Sequence, residues 1–147
     1  MHVELHPRHR NTSQGIAARE LTGACVHCGI CLATCPTYLD TRDERDSPRG
    51  RIYLIKNMLE SGEASAATVT HLDRCLTCRN CETTCPSGMR YGELLDIGRD
   101  LLEHEAPRSR WDSFRRHALR KLLVRPRLLS TGLALARWAL PVLPPRL

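Results

Sequence analysis

Apolar residues recur at helical spacing through most of this chain, and no stretch alternates as a strand of a β-hairpin would. Ser47 reads as an N-cap with Pro48 at the first helical position. Ile52, Ile55 and Leu59 then follow with Met58 beside them, and Gly62 stops the helix. A shorter helix is expected from Ala66 to Leu72. Leu94, Ile97, Leu101 and Leu102 form one face of another, which Pro107 closes through its effect on Ala106. Near the start, Asn11, Thr12 or Ser13 caps a short helix carrying Ile16, Ala17 and Leu21, with Gly23 at its end. Thr41 to Asp46 reads as a charged loop. The first ten residues, with three histidines, two arginines and Pro7, read as a solvated, mobile terminus.

The pattern changes after Pro107. Trp111, Phe114, Ala118 and Leu122 share one face, while Arg115, Arg116, Arg120 and Lys121 fill most of the other. Arg125-Pro126 breaks that helix, and a second apolar segment, Leu128 to Leu140, ends at Pro141, Pro144 and Pro145. No apolar run reaches the ~18 residues of a spanning helix. The N-terminus also lacks the apolar core of a signal peptide, which predicts a cytoplasmic protein with reduced thiols.

Charge divides the chain at the same place. Residues 1–106 carry 12 Lys+Arg against 15 Asp+Glu, whereas residues 107–147 carry 10 basic residues against Asp112 alone. The expected organisation is a mobile N-terminus over 1–18, a compact domain over 19–106 and a basic helical extension over 107–147. The extension suits packing on this domain or a partner, or an anionic membrane surface, the inner face of the cytoplasmic membrane. No groove-reading motif or stacking platform points to nucleic acid. With two Trp, three Tyr and one Phe in 147 residues, the core must be small and aliphatic.

The eight cysteines supply what such a core lacks. Cys25, Cys28, Cys31 and Cys35, followed by Pro36, repeat fifty residues later as Cys75, Cys78, Cys81 and Cys85, followed by Pro86. Both runs read C-x2-C-x2-C-x3-C-P, the bacterial ferredoxin pattern. Thiolates at i, i+3 and i+6 wrap one face of a cubane, and the fourth ligates the other cluster. This pattern predicts two 4Fe–4S clusters on crossed ligand sets: Cys25, Cys28, Cys31 and Cys85, and Cys75, Cys78, Cys81 and Cys35. Zinc is the alternative metal, although it usually takes cysteines in separated pairs. The fold class expected is all-α, a helical ferredoxin-like domain rather than the sheet-containing small ferredoxin. The repeat is expected to concern ligands more than whole units. His27 is expected to face solvent. Pro36 and Pro86 are expected to force an extended exit. Arg49 and Arg51 have Asp40, Asp43 and Glu44 as candidate ion-pair partners within the chain, the alternative being an acidic partner molecule.

No residue pattern here oxidises a substrate unaided. The glycine-containing stretch from Gly88 to Gly92 lacks the preceding strand of a nucleotide loop.

Four blocks narrow the reading: CVHCGICLATCPTY from Cys25, SPRGRIYLIK from Ser47, HLDRCLTCRNCETTCP from His71 and YGELLDIGRD from Tyr91. Together they resemble the N-terminal part of the iron–sulfur subunit of glycolate oxidase, or glycolate dehydrogenase, across roughly Arg19 to Pro126. Iron–sulfur subunits of anaerobic glycerol-3-phosphate dehydrogenase and lactate-utilisation proteins carry related versions. The resemblance implies an electron-transfer subunit and a partner subunit bearing FAD. Glycolate would become glyoxylate on that flavin, and electrons would pass through the clusters toward the respiratory chain. Full-length members continue into Cys-Cys-Gly repeats, and this sequence has no Cys-Cys pair. A zinc-stabilised basic binding module is the reading from a different class.

Overall fold

The computed structural model describes residues 1–106 and 109–139, and it divides into two units, Met1–Pro107 and Arg108–Leu147. The described residues contain helices and no strand, an all-α fold.

The first unit is built around α4 (Pro48–Ser61). Ser47 accepts the Gly50 N–H, Pro48 sits in the first turn, and Gly62 closes the helix at φ 73°. Its Ile52, Ile55, Met58 and Leu59 are buried. Against them pack α7 (Tyr91–Glu105), through Leu94, Leu95, Leu101 and Leu102, and α5 (Ala66–Asp73), through Leu72. Then α2 (Ser13–Gly23) adds Ala18 and Leu21. Fully burying a side chain of this class contributes about 1.5–3 kcal/mol. Three short helices complete the unit: α1 (Pro7–Arg10), α3 (Pro36–Thr41) and α6 (Asn80–Thr83).

The N-terminal residues are not the mobile segment that the sequence suggests. Val3 and Leu5 are each 5% exposed and belong to the core. The His6 N–H donates to the Leu59 carbonyl at 2.9 Å, and the Met1 nitrogen donates to the Gly23 carbonyl at 3.0 Å. Buried His9 lies 2.9 Å from Glu105 at the end of α7. The compact unit therefore includes residues 1–18 rather than starting at 19. Val3 and Leu5 join the core, Met1 packs partly against it, and the backbone hydrogen bonds to Leu59 and Gly23 fix the segment.

The ligand runs also leave differently from one another. Cys35 is extended, as a residue before proline must be, yet Pro36 begins α3 instead of prolonging an extended exit. Beyond ligands, the repeat extends to elements: a helix ending at Gly23 or Asp73 feeds each cysteine loop, and a longer helix, α4 or α7, follows it.

In the second unit, α8 (Arg110–Val124) packs on α9 (Pro126–Ala139). The break expected at Arg125-Pro126 is there, but Pro126 itself opens the second helix, two residues before Leu128. The stop expected at Pro141, Pro144 and Pro145 lies outside the described residues. Trp111 stacks on Phe114 with ring centroids 5.8 Å apart, and both are exposed. Among the described residues, no helix is long and apolar enough to cross a membrane.

Candidate metal centre

Each cysteine run is wound the same way. His27 and Thr77, the residues before the second cysteine of each run, have left-handed backbones at φ 55°. Gly29 and Arg79, just after that cysteine, are left-handed as well, at φ 82° and 59°. Alternating left- and right-handed residues point successive N–H groups to one side, the arrangement that cradles anions. At non-glycine positions such backbones cost on the order of 1–3 kcal/mol each, so the loops need external support.

Two arginines provide it. Arg49 donates to the His27 carbonyl at 3.4 Å and is ion-paired with Glu44. Arg99 donates to Thr77 Oγ1 at 3.0 Å and to the carbonyls of Leu72 and Cys75 at 2.9 and 2.8 Å. These arginines stand fifty residues apart, as the loops do. Sequence reading did not single out Arg99, although that interval marks it.

The loops bring the cysteines together in two groups. One cavity is lined by Cys25, Cys28, Cys31, Cys81 and Cys85. A second is lined by Cys35, Cys75, Cys78 and Cys81. The fourth cysteine of each run thus lies with the first three of the other run, and Cys81 stands between the cavities. Each cavity offers at least four sulfur donors, the chemistry a 4Fe–4S cluster requires. The residues present therefore fit two such groups. All eight thiols are free of disulfides.

The thiols differ electrostatically. Burial pushes Cys81 up to about 12, and it raises Cys31 as well. Burial would also raise Cys85, but hydrogen bonds from the Ser87 side chain and the Met89, Ser87 and Gly88 N–H groups outweigh it and lower that thiol. A metal ligand must be a thiolate, so ligation at Cys81 has to displace a tightly held proton. His27 is half-buried rather than solvent-facing. Its Nε2 is enclosed without a hydrogen-bond partner, and burial followed by the Arg49 charge lowers its pKa.

Behind the second cavity lies a buried ionic cluster that no periodicity announces. Asp46, inside the stretch expected to be a charged loop, has no exposed surface. Its carboxylate accepts from His71 Nδ1 at 2.8 Å, from Arg74 at 3.2 Å and from Arg51 at 3.3 Å. Arg51, 1% exposed, also donates to the His71 carbonyl at 2.7 Å and to Thr37 Oγ1 at 3.1 Å. The acidic partner of Arg51 is thus Asp46, outside the three acids considered from sequence, whereas Arg49 does pair with Glu44.

Comparison with known proteins accords with this geometry. Residues 24–90 match a family described as a 4Fe-4S dicluster domain. This chain holds a 4Fe–4S dicluster domain. Its cofactors are accordingly two 4Fe–4S clusters. The chain is 53% identical over 126 residues to the glycolate oxidase iron-sulfur subunit of Escherichia coli strain K12, covering 86% of this chain and 31% of that protein. It is 42% identical over 87 residues to the probable glycolate oxidase iron-sulfur subunit of Bacillus subtilis strain 168, covering 58% of this chain and 20% of that protein. The chain therefore spans about a third or less of the length of either relative. No solved structure matches.

Proposed function

We propose that this chain is the two-cluster electron-transfer part of a glycolate oxidase-type iron–sulfur subunit. It takes electrons from an FAD-bearing partner that converts glycolate to glyoxylate and passes them toward the respiratory chain. The observation that carries this reading is the gathering of all eight cysteines into two adjoining cavities. The identity to glycolate oxidase iron-sulfur subunits points to the substrate.

Bound 4Fe–4S clusters supply one-electron transfer. The protein's residues hold and tune them. In this reading Cys25, Cys28, Cys31 and Cys85 ligate one cluster, and Cys75, Cys78, Cys81 and Cys35 the other. The Ser87, Gly88 and Met89 N–H groups are aimed at the Cys85 sulfur. Arg49 and Arg99 keep the left-handed turns of the two loops in place. Exposed Cys28 and Cys78 bring each set to the surface, where a redox partner reaches it. Exposed Val26 and Leu76 flank them with apolar contact area.

Protein purified without air should be brown and carry about eight irons per chain, whereas a zinc module would be colourless. It should reduce no dye from glycolate alone, and should do so once a flavoprotein partner is added. Turnover by the isolated chain would refute the assignment. The ligand sets are tested separately by EPR of Cys85→Ser. We expect loss of the cluster held by Cys25, Cys28 and Cys31, and loss confined to the Cys75 cluster would exclude crossing.

A further inference from the structure

The two ligand sets come from nearly identical runs, and much of their surroundings is duplicated. Both loops carry left-handed residues at the same two positions. The hydroxyl two residues after each fourth cysteine lies 3.2 Å from its sulfur, Thr37 beside Cys35 and Ser87 beside Cys85. Such shared features cannot distinguish one cluster from the other.

Two donors are not shared. The Tyr91 hydroxyl donates to Cys75 Sγ at 3.6 Å, and the ring is 4% exposed. Arg51 points Nη1 at Cys35 Sγ from 3.9 Å, and its guanidinium is buried. Fifty residues away in the repeat stand Thr41 and Leu101, which offer neither a phenol nor a charge. Arg51 is not simply neutralised by Asp46, because the same carboxylate also serves Arg74 and His71. On the other side, Arg49 has Glu44 largely to itself and is solvent-accessible.

We propose that Arg51 and Tyr91 raise the reduction potential of the cluster held by Cys75 and Cys35 relative to its neighbour. The inference rests on the crossed two-cluster reading above. Adding an electron increases the negative charge on the cluster and its thiolates. A buried cation and a hydroxyl aimed at sulfur stabilise that form. They oppose the burial of Cys35 and Cys81, which by itself makes reduction harder. The cysteines of the first set are only partly buried or exposed, so there is less burial to offset. Arg51 and Tyr91 thereby keep the more enclosed cluster within electron-exchanging reach of the other.

The test is an EPR-monitored redox titration of the full chain with both clusters, each signal being assigned with Cys25→Ser and Cys75→Ser. In Tyr91→Phe we expect the midpoint of the Cys75 cluster alone to move down. At the wild-type midpoint its reduced-to-oxidised ratio should fall several-fold. An unmoved Cys75 signal, or an equal shift of both clusters, overturns the proposal. This arm is independent of crossing, because Cys75 belongs to the second run in either arrangement. Arg51→Lys should move the same signal less than Arg51→Gln. If the Arg51 variants move only the Cys25 signal, crossing has failed and Arg51 loses its part, while the Tyr91 result still stands by itself. Should the Arg51 variants not assemble, Tyr91→Phe decides.

Discussion

Asp46 gathers three basic side chains and has no contact with water, so a change there reaches several elements at once. Burial raises its carboxyl pKa, but His71, Arg74 and Arg51 pull it down further, and the net direction is down. A depressed carboxyl contributes stability that is present above the unfolded value, about 3.9, and is lost as pH falls through the folded one. Asp46→Asn removes the charge and leaves Arg51 buried without its counterion, a change that costs about 3–5 kcal/mol. Thermal unfolding of the cluster-loaded protein at pH 7 should show that loss. The gap from the native protein should narrow below about pH 4, where native Asp46 loses its own advantage. An unchanged transition at pH 7 would remove Asp46 from the structural core. At this scale the cysteines were legible from sequence, because ligand spacing is a local property. The Arg51–Asp46–His71 cluster was not, since it joins three segments whose charges each look like solvated surface.

At the scale of elements, the start of α4 shows what the SPRGR block does. Gly50 sits where α4 crosses the turn holding Asp46, and an added Cβ would overlap the Glu44 carbonyl oxygen. That neighbour is backbone and cannot swing aside. Gly50→Ala must therefore push α4 off the 44–46 turn, moving Arg51 away from Asp46 and Cys35. Overpacking of this kind costs about 1–3 kcal/mol. We expect a lower unfolding temperature together with faster loss of visible absorbance on warming. An alanine variant as stable as the native protein would mean that the turn yields freely. Helix α4 was legible because cap, apolar period and stop residue agree, and α7 because its apolar face and the proline beyond it do. For α2 the cap and the stop carried the reading, since Ile16 proves exposed and Ala18 faces the core instead. The ordered N-terminus was not legible, because Val3 and Leu5 are too few to set a period. Nor was α3, because a proline after a ligand serves equally as a helix start or an extended exit.

On the scale of the whole molecule, the boundary near Pro107 separates two kinds of surface. All eight cysteines, both loop-holding arginines and, among the described residues, every side chain of the buried core precede it. The segment after it carries ten basic residues against Asp112, and its exposed apolar residues include Trp111, Phe114, Leu123, Val124 and Leu133. An apolar face bordered by arginines suits a protein partner of opposite charge or an anionic lipid surface, and in both cases part of the attraction is screened by salt. Deleting residues 108–147 should therefore leave iron content and the EPR signals of both clusters intact. It should also weaken attachment to the proposed flavoprotein partner or to vesicles containing anionic lipid. Pull-down and vesicle sedimentation at low and high salt separate those destinations, since only the true one should lose salt-sensitive binding on truncation. If the truncated chain instead fails to retain its clusters, the basic helices support the cluster unit directly, and the division at Pro107 does not mark an independent folding unit.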